Sequence, residues 1–205
     1  KVEVICLNLK YYIMKKLFLA VVFVAQLGFG QETEFTFDNQ KGMTDYIVGT
    51  VENKTASEIY KKAIEWIKVT YKNPDKVILS TIDNEYVRFE GFSSAIWCIS
   101  ALGMKTCYDT KYQIEISFKD GKYKFDIIGI EYYLSPSKYS SGGWVDLGIF
   151  SKNMTTKEQL DMIYKKDGSF RSSFKHIPDV PIYFNNLNKS LLEYINSESP
   201  AKGDW

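Results

Sequence analysis

Residues 112–132 read YQIEISFKDGKYKFDIIGIEY, the body of two alternating runs, Thr110–Lys119 and Lys122–Tyr132, on either side of Asp120-Gly121. Apolar and polar side chains exchange at nearly every step, the period of a half-buried strand. Asp-Gly between such runs is a strong hairpin signal, because both residues tolerate the positive φ of a type I′ turn. A two-residue turn there sets the register, with Phe118 across from Tyr123, Ile116 from Phe125 and Ile114 from Ile127. All six then share one face, so turn chemistry and hydrophobic pattern agree. The other face pairs Glu115 with Asp126 and Ser117 with Lys124, and reads as solvated.

Working outward, Lys76–Ile82 (KVILSTI) and Glu85–Phe92 (EYVRFEGF) flank Asp83-Asn84 as a second strand pair, and Thr44–Val51 (TDYIVGTV) supplies a further β-rich run. Between them, Thr55 and Glu58 stand at capping-box spacing, and Ile59, Ala63, Trp66, Ile67 and Thr70 recur every three or four positions until Asn73-Pro74. This predicts an amphipathic helix broad enough to lie across a sheet, with Trp66 in the core. After Ser135 the pattern breaks into SPSKYSSGGWVDLGIFSKN. Thr155 and Glu158 then open a short helix to about Lys166, and a last long helix begins near Pro181 with Phe184, Leu187, Leu191 and Ile195 on one face.

The order strand, helix, four antiparallel strands, helix, with the local text ASEIYKKAIEWIKVTYKNP, KVILSTID and the hairpin itself, resembles a bacterial family, the domain of unknown function numbered 4468. The resemblance runs from about Tyr46 to Tyr133 and implies an α+β fold like that of the TATA-binding protein. That fold is a curved antiparallel sheet of about five strands packed by two helices (β-α-β4-α), with a loop and short-helix insertion before the last helix. It carries no established activity, so it implies no site residues. The chain departs from the family at SSAIWCISALGMKTCYD and in the insertion after Ser135.

Residues 14–31, MKKLFLAVVFVAQLGFGQ, combine a basic flank, an apolar run and small residues at the end, the parts of a secretory signal peptide. The run is too short for a span of about 20 apolar residues. An uncleaved anchor is the alternative. Residues 1–13 look like an over-extended start. The resulting division is 1–30 as upstream residues plus signal, 31–198 as one α+β domain (core about 44–134 and 179–197, insertion 135–178), and 199–205 as a frayed tail. Setting Lys1, Lys10, Lys15, Lys16 and Glu3 aside from 26 basic and 25 acidic residues leaves 22 and 24, a formal charge of −2. A chain so balanced has no basic saddle for nucleic acid. Its expected place is the periplasm or the secreted fraction, with no stable membrane span after cleavage.

Cys98 and Cys107 remain as an even pair, which in an oxidising compartment invites one bridge across a hairpin loop around Ala101-Leu102-Gly103. Two buried free thiols are the bland alternative. His176 is the one histidine, in a loop, and reads as a solvated or capping residue rather than a general base. No serine elbow, Cys-x-x-Cys, zinc-protease motif, phosphate loop or calcium-loop spacing appears, so no catalytic residue, metal or cofactor is assigned. Tyr139 and Trp144, in PSKYSSGGWVD, are the candidate contacts for a partner, as amphipathic aromatics among adaptable polar residues. The alternative is that Trp144 covers the sheet edge or core. The expected function is therefore an exported, non-catalytic module binding a protein, glycan or small ligand. The competing reading is an enzyme using carboxylates and hydroxyls without a recognisable motif.

Overall fold

The computed structural model describes residues 33–150 and 155–197; the export segment and the terminal tail expected from the sequence lie outside the described residues. A two-stranded ribbon, β1 (Phe37–Asp38) and β2 (Gly42–Met43), precedes β3 (Tyr46–Thr50) and the helix α1 (Ala56–Thr70). After a single turn, α2 (Pro74–Val77), come β4 (Ile78–Ile82), β5 (Tyr86–Ala101), β6 (Met104–Lys119) and β7 (Lys122–Leu134). The chain continues through β8 (Gly143–Asp146), α3 (Thr156–Ile163) and a 3₁₀ turn at Ser172–Phe174 to the long helix α4 (Asp179–Asn196).

The sheet is antiparallel throughout, in the order β3-β7-β6-β5-β4, with β8 paired to β7. It has six strands rather than five, because the segment after Ser135 returns to add β8. The β6–β7 register is the expected one, with Phe118 opposite Tyr123, Ile116 opposite Phe125 and Ile114 opposite Ile127. The turn differs in detail. Gly121 has φ 75, whereas Asp120 is not left-handed. The loop is tied down on the α1 side: Asp120 Oδ1 accepts from the Ala56 N–H at 2.8 Å, and the Gly121 N–H donates to Lys54 O at 2.9 Å.

Strands β5 and β6 are each 16 residues long and continue well past Phe92 and before Thr110, where the sequence pattern ended. A register shift between Ser93 and Trp97 interrupts the alternation. Beyond it the arm pairs again, down to a two-residue turn at Leu102-Gly103. Strand β4 starts at Ile78 rather than Lys76, since Pro74 opens the α2 turn. Helix α3 stops at Ile163, short of Lys166, because Tyr164 turns extended and bridges to Phe170.

Both expected capping boxes form, Thr55 with Glu58 and Thr155 with Glu158. The faces of α1 (Ile59, Ala63, Trp66, Ile67) and α4 (Val180, Phe184, Leu191, Ile195) are buried in one cluster with Val87, Phe89, Ile114, Ile116 and Phe125 of the sheet. Polar groups inside this layer are satisfied across elements. Trp66 Nε1 donates to Ser190 Oγ at 3.1 Å, and the Tyr123 hydroxyl donates to Asn188 Oδ1 at 2.8 Å. With the helices on one face, the other face of the sheet carries the outward-pointing side chains of its strands.

Candidate functional site

The outer face begins as charge pairs. Arg88 pairs with Glu115, which also accepts from the Tyr86 hydroxyl at 3.0 Å. Gln113 donates to Glu90 at 3.1 Å, and Lys124 meets Asp126 at 3.0 Å. The expectation of a solvated face fails at Asp126, which is buried. Strand β3 sets Tyr46 directly across from it, and Lys124 lies 5.2 Å from the Tyr46 ring centre. Long side chains lying over a neighbour exclude water from the carboxylate between them.

Toward the far end of this face the surface becomes aromatic. Strand β8 pairs Trp144 with Tyr133 and Asp146 with Glu131. The Trp144 ring lies 5.4 Å from Tyr133 and 5.9 Å from Phe92, edge-to-face in both cases. Lys111, 2.5 Å from Glu131, places its ammonium 5.0 Å from the Trp144 ring centre. The three rings are 59% (Phe92), 38% (Tyr133) and 40% (Trp144) exposed, a large apolar area to leave in water. They line a cavity of about 330 Å³, with Ser93, Ser94 and Asp109 at its polar side.

What brings Trp144 here is a tight reversal after Leu134. Gly142 has φ 72, and a Cβ on it would sit 2.7 Å from Leu134 O and 2.6 Å from Pro136 N. Only glycine lets the chain fold back so closely on the strand it has just left. Trp144 is thus a strand residue on a paired backbone, neither buried in the core nor part of a loose loop. Tyr139 sits apart from the cavity, 91% exposed at the bend that the Ser137–Ser140 bridge closes. The structure joins Cys98 to Cys107 as directly opposed residues of β5 and β6, in a disulfide. Phe92 and Tyr133 are site residues that the sequence reading does not single out. Their signal was present, as aromatics at outward positions near strand ends, but it depended on knowing which edge β8 joins.

Residues 48–133 match the family described as a domain of unknown function (DUF4468) with TBP-like fold. The chain resembles that family. The matched segment contains Phe92 and Tyr133, whereas Trp144 lies beyond it. Among solved structures, a DUF4468 family protein from Bacteroides ovatus ATCC 8483 is similar at 10% identity and TM-score 0.53, over 79% of this chain and 91% of that one. A TBP-like protein from Parabacteroides distasonis ATCC 8503 matches at 15% identity and TM-score 0.48, over 75% of this chain and 92% of that one. The fold is TBP-like and α+β. No curated protein matches the chain. No helix among the described residues is long and apolar enough to cross a membrane.

Proposed function

We propose that this chain is an exported binding domain, and that the cleft formed by Phe92, Tyr133 and Trp144 takes a carbohydrate. The supporting observation is the pairing of three exposed rings with a polar border in one cavity of about 330 Å³, a size suited to a small ligand. A pyranose offers an apolar C–H face to an indole and a rim of hydroxyls to Asp109, Ser93 and Ser94. Because Trp144 and Tyr133 sit on opposed strands, little ordering is required of them on binding. Tyr139, apart from the cavity and 91% exposed, is a separate candidate contact for a partner. Export rests on the signal-like residues 14–31, and a disulfide suits an oxidising compartment.

Titrating the protein with a panel of neutral oligosaccharides while following tryptophan fluorescence tests the site. Saturable quenching that weakens at least tenfold in Trp144→Ala, at an unchanged thermal midpoint, is the expected result. Binding that survives Trp144→Ala, or a midpoint that falls by several degrees, returns Trp144 to a purely structural role. N-terminal sequencing of the native protein tests export: a mature start at Gln31 is expected, and an intact Met14 on a cytoplasmic species would refute it.

A further inference from the structure

The fold brings Ser100 to a pair, His176 and Asp179, that stands three positions apart much farther along the chain. Ser100 lies in β5, two positions beyond Cys98; His176 precedes α4, and Asp179 is its first residue. Ser100 Oγ and His176 Nε2 are 3.0 Å apart across 76 residues of chain. The other ring nitrogen, Nδ1, is 3.5 Å from Asp179 Oδ2. Lys105, opposite Ser100 in the hairpin, holds that same carboxylate oxygen at 3.2 Å. Ser100 is 8% exposed, and the His176 side chain 19%. This histidine is therefore neither freely solvated nor capping a helix.

Hydroxyl on Nε2 and carboxylate on Nδ1 is the connectivity that activates a serine. The carboxylate favours the tautomer with hydrogen on Nδ1, which leaves the Nε2 lone pair facing the hydroxyl. The Nδ1 contact is long, as such contacts often are before a substrate is bound. A donor for a developing oxyanion is also at hand. Ala101 and Met104 close the two-residue turn as a hydrogen-bonded pair, so alternation makes Ser100 and Lys105 a non-hydrogen-bonded one. The Ser100 N–H then points away from β6, to the side where β4 reaches only from Tyr86 to Phe89.

We propose that Ser100, His176 and Asp179 form a nucleophilic site that hydrolyses small carboxylic esters. Ser100 Oγ bonds to the ester carbonyl carbon as its proton passes to His176 Nε2, and the oxyanion accepts from the Ser100 N–H. Collapse breaks the bond to the alkoxy oxygen, which leaves as an alcohol with the proton from Nε2. Water then attacks the acyl-serine, gives a proton to His176, and releases the carboxylic acid with Ser100 restored. Water is the only co-reactant. Asp179 is a positioning residue, with Lys105 steadying it, and the low exposure of Ser100 confines the substrate to a small acyl group.

The test is covalent labelling of the folded, disulfide-bonded protein with a fluorophosphonate, read by intact mass and peptide mapping, with p-nitrophenyl acetate turnover alongside. A single adduct on Ser100 is expected, absent in Ser100→Ala and formed at least about 100-fold more slowly in His176→Gln, the scale of a lost general base. Asp179→Asn should lower kcat more than it raises KM, which a loss of packing alone would not produce. No adduct on Ser100 in the wild-type protein overturns the proposal, whatever the variants do. So does an equal labelling rate in a His176→Gln protein that melts like the wild type.

Discussion

Gly91 is the position where one methyl group should do most damage. It lies in β5 opposite Tyr112 of β6, and a Cβ placed on it would stand 2.3 Å from both Cζ and the hydroxyl oxygen of that tyrosine. Carbon atoms rest at about 3.5–4.0 Å, so the ring must shift by more than about 1 Å. It has little room to do so. Tyr112 is 2% exposed, and its hydroxyl lies 2.9 Å from the Tyr71 hydroxyl and 3.3 Å from that of Tyr183. Burial raises its phenol pKa far above the ordinary value, so the group stays neutral and keeps its proton for this network. Overpacking costs roughly 1–3 kcal/mol, and displacing one of these two hydrogen bonds about 1 kcal/mol more. Gly91→Ala should therefore destabilise the domain by about 2–4 kcal/mol in urea unfolding. In a Tyr112→Val background the same substitution has space, and relief of glycine's backbone entropy makes it neutral or stabilising by about 0.5 kcal/mol. A Gly91→Ala protein within 0.5 kcal/mol of wild type, or an equal penalty in both backgrounds, would refute the ring-over-glycine account; the threshold is roughly the additivity error of such cycles.

Leu102 is 98% exposed at φ 49, a costly conformation for a bulky side chain. Leu102→Asn, giving the preferred Asn-Gly turn, should raise stability by about 0.5–1 kcal/mol; a lower thermal midpoint would contradict this. Reducing Cys98–Cys107, which are nine positions apart, should cost roughly 2.5–3 kcal/mol on the chain-entropy account, measured by unfolding with and without reductant. The Thr55 N–H and hydroxyl hold Glu58 below the ordinary carboxylate value of 4.5. Its contribution is complete above that value and is lost as pH falls through the lower folded-state value. Glu58→Gln should accordingly flatten the acid side of the stability curve and leave its slope near neutrality unchanged.

What the amino-acid sequence determined by itself was what short-range physics can decide. Alternation and a glycine at Gly121 set the β6–β7 register, and two Thr-x-x-Glu boxes started α1 and α3 where expected. The cysteine pair was legible because its ends lie on the two arms of one hairpin. Each of these involves residues close in the chain, where turn geometry and backbone periodicity leave few alternatives. Three other features were decided by tertiary structure alone. The alternation places Asp126 toward solvent, yet it is buried because β3 arrives across from it. Trp144 had two possible fates, and the edge that β8 joined placed it beside Tyr133 and Phe92. His176 looked unremarkable until the packing of α4 brought its ring to Ser100. These neighbours are chosen by which edges and faces remain open once the core has closed, and no local pattern records that choice.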